Sequence, residues 1–245
     1  MPRKPLLKHP EIIKHGRLPP HYMIGVVPSE HRPEHAQVIG ECLMAWPHVD
    51  LQMAQLLATL LKTESRAALA VYLTLKRRSP RVEAITSAAN IVLAAEENEL
   101  LSAILSIVRA TETERNALAH GYFGACDSIP EDILWISATD YALFVVDFFQ
   151  PRQPPDFARP PEPDDKLSSH VYYYEMNDLS EVHSNILLAH DILNKFCMYL
   201  RFPGHGPFAP RRKDLFDQLT GLFPIQEAVK ASRQDAQSRN AKSRP

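Results

Sequence analysis

The sequence predicts a mainly α-helical protein with a small antiparallel β insertion ahead of one long final helix. Three observations predict it. The 21 prolines are clustered, with seven in residues 1–33, six in 151–163 and four in 203–224, whereas only Pro47 and Pro80 interrupt residues 34–129. Proline removes a backbone donor and breaks helix interiors, so the middle of the chain is free to be helical and the ends are expected not to be. Across that middle, apolar residues recur at steps of three and four, the helical period. After Pro130 the composition turns β-branched and aromatic, which favours strands.

Residues 1–33 mix proline, histidine and basic residues without a period and read as an N-terminal arm with no core of its own. From Glu34 a first helix carries Val38, Cys42, Met44 and Ala45 on one side, and Pro47 is expected to end or kink it. Asp50 is placed to cap the continuation, in which Met53, Leu56, Leu57, Leu60 and Leu61 form a buried stripe. A next helix spans about 66–76, with Lys76, Arg77 and Arg78 in its last turn, where cations complement the helix dipole. The same basic run is also a candidate phosphate contact. Ser79-Pro80 starts a third helix to about Ala94, and Leu100, Leu101, Ile104, Leu105 and Val108 mark a fourth. Thr111-x-x-Glu114 has capping-box form, so a fresh helix is expected inside RATETERNALAHGYFG, running to about Phe123 and stopped by Gly124. ILWIS (133–137), YALFVVDFF (141–149) and HVYYYEM (170–176) read as strands of the β insertion at 131–176, and the proline-rich stretch 150–165 reads as a loop inside it. Leu179, Val182, Ile186, Ala189, Leu193, Phe196 and Leu200 then define the long last helix. Residues 203–245 are expected to form loops, a short helix near 211–222 and a polar tail. The expected domains are therefore an arm at 1–33, a helical domain at 34–202 and a C-terminal segment at 203–245.

Composition narrows the function. With 245 residues, 45% hydrophobic and 23% charged, the chain has the make-up of an ordinary globular protein. A formal net charge of −2 excludes nucleic-acid binding through bulk positive charge, so a polyanion would have to be held in a local cleft. Three widely spaced cysteines without a C-x-x-C pair argue against a disulfide framework and a Cys-rich zinc site, and a reducing cytoplasm is the expected compartment. No secretory signal and no membrane span are expected, since no apolar run is long enough. The strings that mark Walker-type, dinucleotide-binding, nucleophile-elbow and zincin sites are missing, and no cofactor or metal is expected.

What remains is one polar string between apolar helical segments, Arg115-Asn116-Ala117-Leu118-Ala119-His120-Gly121. On a helix Asn116 and His120 are one turn apart on a shared face, while Arg115 lies about 140° round from His120 and has to reach across. A guanidinium grips phosphate with paired donors, an imidazole moves a proton near neutral pH, and an amide can fix either. If the helix begins near Thr113, its N-terminus would also favour an anion. Tyr122 is placed to stack on a base or to anchor the core.

RNALAHG resembles the R-x(4–6)-H motif of HEPN domains, in particular the subset with Asn after the Arg and Gly after the His. The layout of residues 34–202, helices before the motif and a β-rich segment and long helix after it, is similar too. The resemblance implies a HEPN-like helical bundle that forms a homodimer with two Arg/His motifs facing one cleft, and in many members a metal-independent endoribonuclease. It would make His120 the acid/base for attack of a ribose 2′-OH on the adjacent phosphate, Arg115 the stabiliser of transition-state charge and Asn116 the residue that orients one of them. The products would be a 2′,3′-cyclic phosphate and a 5′-OH. It also implies a defence or toxin–antitoxin setting, with RNA as substrate and an antitoxin or other protein as partner. The other reading is a non-catalytic nucleotide-binding or protein-interaction module in which Arg, Asn and His form a structural polar network, with Glu112 or Glu114 as partners. Other histidines carry less. His31 and His35 have Pro33 between them, His183 and His190 are two helical turns apart, and His205 sits in a Gly-His-Gly turn.

Overall fold

A computed structural model describes residues 2–15, 22–25, 27–149 and 168–242. The loop expected at 150–165 lies outside the described residues. The chain is mainly helical, with a small antiparallel sheet, and divides into two compact units. The first comprises Met1–Met44 and Thr113–Ser184, the second Ala45–Glu112 and Asn185–Pro245.

The first unit is built on a five-stranded antiparallel sheet of β1 (Lys4–Pro5), β2 (Tyr22–Ile24), β3 (Gly121–Cys126), β4 (Ile133–Ser137) and β5 (Tyr172–Tyr174), in the order β1-β5-β4-β3-β2. Both edge strands come from the segment read as an arm, so that segment is part of the sheet. Leu6, fully buried, donates its amide to the carbonyl of Val171 and packs with Ile12, Cys126, Ile129, Leu134, Ile136 and Tyr173. The sheet therefore draws on three parts of the chain and is not confined to 131–176. Among these strands lie the short helices α1 (Pro10–His15) and α2 (Pro28–His31), and the first turns of α3 (Pro33–Leu61).

Residues 141–149, read above as a strand, belong instead to α7 (Ala138–Phe149). The reason is local: the Ser137 hydroxyl accepts the Asp140 amide at 3.0 Å and donates to the Asp140 carboxylate, an N-cap at the helix start. YALFVVDFF has no strict alternation, and a short apolar run does not by itself separate strand from helix.

The second unit is helical: the rest of α3, then α4 (Ser65–Thr74), α5 (Arg78–Val92), α6 (Ala95–His120) up to Glu112, α8 (Met176–Arg201) from Asn185, α9 (Ala209–Gly221) and α10 (Phe223–Lys242). The expected apolar stripes form its core, with Leu56, Leu57, Leu60, Ile104, Leu193 and Phe196 all buried, but Leu61, expected in the buried stripe, is 50% exposed at the end of α3. Pro47 lies inside α3 without ending it. Asp50 does not cap; its carboxylate accepts the Tyr72 hydroxyl and pairs with Arg81. The basic run is not a helix end either. Lys76 and Arg77 follow α4, and Arg78 opens α5.

The polar tail is helical as far as Lys242. Pro210 and Pro224 sit in the first turns of α9 and α10, where a missing amide costs nothing. Ile225 is buried, and Arg233 makes a two-pronged bond to the Glu99 carboxylate. Tyr199 and Arg212 converge on Glu97, with the Arg212 guanidinium 4.5 Å above the Tyr199 ring. All three cysteines are free and buried, and burial pushes the Cys42 and Cys197 thiols up to about 12.

The N-terminal segment of the first unit is tied to the β3–β4 turn by buried polar groups. His9 Nδ1 accepts the Glu11 amide, so its Nε2–H donates to the Asp132 carboxylate at 2.9 Å. Arg32 donates to the carbonyls of Asp132 and Cys126. His35 is buried beside them, and its Nε2 meets no partner among the described residues. Burial holds His35 below the ordinary 6.5, against the pull of the Asp132 charge. Burial also holds the Asp132 carboxyl above 3.8, against the His9 hydrogen bond.

The signs separate. As pH falls through 6.5, the unfolded chain takes up a proton that native His35 resists, so stability declines until pH passes below the native value. Asp132 acts in the opposite sense and at lower pH: just above 3.8 the native state holds the extra proton, and stability falls as pH rises. Urea midpoints measured from pH 7.5 to 4.5 should therefore decline below about 6.5, the ordinary histidine value, and His35→Leu should flatten that decline. An unchanged slope in the variant would assign the effect elsewhere.

Candidate functional site

The string Arg115–Gly121 spans the end of α6 and the start of β3 in the first unit. No fresh helix starts at Thr113. The Thr111 hydroxyl bonds back to the Ile107 carbonyl at 3.0 Å, an in-helix bond, and not to the amides of a new first turn. The true start of α6 is capped by Glu97, whose carboxylate accepts the Ala94 amide. Consequently the motif occupies the C-terminal end of a 26-residue helix, and its last residue is His120. That end carries the negative pole of the helix dipole. The anion-favouring helix N-terminus expected near Thr113 is therefore absent, and any negative ligand has to be held by side chains.

The structure brings Arg115 and Asn116 together: Arg115 Nη1 donates to Asn116 Oδ1 at 2.9 Å, with both side chains half-buried. One turn further on, His120 is exposed, and among the described residues it makes no hydrogen bond to either. Arg115 and Asn116 thus form a fixed pair next to a solvent-facing imidazole. Glu112 is engaged by Arg78 in the second unit. Glu114 acts on Tyr174, whose hydroxyl is pushed up to about 12, first by burial, with Arg3 opposing and Glu114 adding to the rise.

What ends the helix is Trp135, a residue the sequence reading did not single out. Its indole Nε1–H donates to the Ala117 carbonyl at 2.9 Å, satisfying one of the last-turn acceptors of α6. The ring lies across the position that follows His120. A Cβ added at Gly121 would fall 1.7 Å from Trp135 Nε1. The glycine of the motif is therefore required by the indole, and the backbone at this point turns directly from helix into β3. Arg3 stacks 4.1 Å above the Trp135 ring from the other segment, and Tyr172 meets its edge. The signal available in the sequence was a lone Trp inside a β-branched run, which does not reveal its long-range partner.

Tyr122 lies in β3, 44% exposed, with its ring 4.3 Å from that of Tyr141 on α7. It is an open aromatic surface braced from one side. Lys76, Arg77 and Arg78 belong to the second unit; Lys76 and Arg77 are exposed, and Arg78 pairs with Glu112. Among the described residues no group of three or more His, Cys, Asp or Glu side chains is placed to hold a metal ion, and no helix is long and apolar enough to cross a membrane. The chain matches no protein-family model, no curated protein and no solved structure.

The Trp135–Gly121 contact is testable by a mutant cycle. Gly121→Ala should destabilise by about 1–3 kcal/mol through overpacking. In a Trp135→Leu background, which removes the obstructing ring, the same change should cost much less, as read from denaturant midpoints. Equal costs in both backgrounds would separate the glycine from the indole.

Proposed function

We propose that this chain is a HEPN-like metal-independent endoribonuclease acting through Arg115, Asn116 and His120. The observation that carries the reading is the hydrogen-bonded Arg115–Asn116 pair beside an exposed His120 on the next turn of the same helix. A guanidinium bonded to an amide is held in a set orientation, and phosphoryl chemistry needs a preorganised cation where charge develops. Asn116 positions Arg115, the first of the two roles open to it. His120 is solvent-facing, as an acid/base that meets a substrate must be.

In this mechanism a ribose 2′-OH loses its proton to an imidazole and attacks the adjacent phosphorus. The P–O5′ bond breaks, a second imidazole protonates the leaving 5′ oxygen, and the products are a 2′,3′-cyclic phosphate and a 5′-OH. One His120 cannot serve as base and acid in the same turnover from one side of the phosphate. The second proton carrier is His120 of another copy, which makes the working unit a homodimer. Arg115 neutralises charge on the phosphorane-like transition state. Tyr122 offers a face on which a base can stack. The half-burial of Arg115 and Asn116 supports a second reading, a non-catalytic interaction module in which this pair is structural.

The variants His120→Ala and Arg115→Ala separate the two. With EDTA present, the wild-type chain should cleave RNA, and each substitution should lower the rate by about 10²–10⁴-fold while His120→Ala leaves thermal stability intact. Cleavage that survives either substitution, or that EDTA abolishes, would falsify the mechanism. Inert wild-type protein together with a lowered melting temperature in Arg115→Ala would establish the structural reading.

A further inference from the structure

In the second unit, a cleft of about 430 Å³ lies between the start of α5 and the middle of α6. Two facing helices ordinarily fill such a gap with apolar side chains. Here α6 presents Ser102, Ser106 and Arg109, a polar stripe at steps of four and three, and α5 presents Arg78 and Ser79. Val82 and Leu105 supply the apolar part of the wall, and among the described residues no carboxylate lines the cleft.

From these groups we infer that the cleft is a binding site for a phosphate ester. Two guanidiniums, those of Arg78 and Arg109, line one cavity, and guanidinium is the side-chain group whose planar fork of N–H donors best matches a tetrahedral oxyanion. Arg78 is held in place by Glu112, and its Nη1 also donates to the Arg109 carbonyl. Its Nε and Nη2 donors make no other bond among the described residues. Among the described residues the Ser106 hydroxyl makes no hydrogen bond, whereas Ser79 and Ser102 donate to Glu83 and to the Asn98 carbonyl and would accept or rotate. Ser79 is also in the first turn of α5, the end of a helix dipole that favours negative charge. Lys76 and Arg77 immediately precede Arg78 and are exposed, adding positive charge to the segment that leads into α5.

The cleft is larger than a bare phosphate ion needs, and the Val82–Leu105 wall offers a surface for the organic group of an ester, such as a sugar. The site stands on residues of the second unit. It holds whether or not His120 is catalytic, and its failure would leave the ribonuclease reading where it stands.

Equilibrium binding to the full chain tests it with three probes: inorganic phosphate, AMP and an oligouridylate of about ten nucleotides, an ordinary single-strand site length, made with 2′-O-methyl sugars so that it offers no attacking hydroxyl. AMP should bind more tightly than phosphate. Arg109→Gln, at an exposed position, should weaken AMP by about tenfold, the worth of one charge-assisted contact. Glu112→Gln should tighten it by removing the competing carboxylate, and Ser106→Asp, which places a negative charge on the exposed rim, should abolish it. The wild-type melting temperature should persist in Arg109→Gln and Ser106→Asp. An oligouridylate that binds much more tightly than AMP, with a steep salt dependence, identifies the ester as the backbone of a strand; equal or weaker binding identifies a free phosphate ester. No AMP binding below about 10 mM, several orders weaker than ordinary ligand affinities, would overturn the site, as would phosphate binding as tightly as AMP or affinities unmoved by Arg109→Gln and Ser106→Asp.

Discussion

The first unit depends on one contact: the indole of Trp135 laid over the end of α6. It accomplishes three things at once. Its N–H satisfies the Ala117 carbonyl, its ring excludes any side chain at position 121, and its upper face receives the Arg3 guanidinium. An α-helix leaves its last carbonyls unsatisfied, and most solve this with a left-handed glycine or with water. Here a side chain from a neighbouring strand does so, and the chain turns into β3 without an intervening loop. His120 therefore ends up at a fixed junction between helix and sheet, a more rigid place for a reacting group than a loop tip.

Much of this was legible in the sequence and some was not, for identifiable reasons. Long apolar stripes such as Leu179–Leu200 and Met53–Leu61 gave their helices directly, because each such helix buries one face and repeats the signal many times. The edge strands β1 and β2 span two and three residues, one containing Pro5, and nothing so short carries a period. In α7 the decisive signal, Ser137-x-x-Asp140, was present but outweighed by β-branched composition. Thr111-x-x-Glu114 shows the converse. The spacing of a capping box occurs there in the middle of a helix, where the threonine bonds backwards and caps nothing. The residues of the candidate site were visible as a string, but which end of a helix they occupied was not, and that decides whether the backbone attracts or repels an anion.

The prolines illustrate how one residue type can carry two meanings. Read as breakers, they mark where helices cannot run. Yet Pro10, Pro28, Pro33, Pro80, Pro210 and Pro224 all lie in the first turns of helices, positions at which the fixed backbone angle helps and the missing amide is not needed. Proline density at the two ends of the chain reflects several short helices starting close together as much as an absence of structure. Among the described residues only Pro47 lies deep within a helix, and α3 continues past it to Leu61.

The burial of the three thiols has a practical side. A reagent that alkylates only thiolate finds almost none at Cys42 and Cys197, so modification there has to wait for the surrounding structure to open. Cys42 and Cys126 lie in the first unit and Cys197 in the second. The wild-type chain thus carries its own clocks: the rates at which the Cys42 and Cys197 thiols disappear report the opening of the structure around each, without an added label.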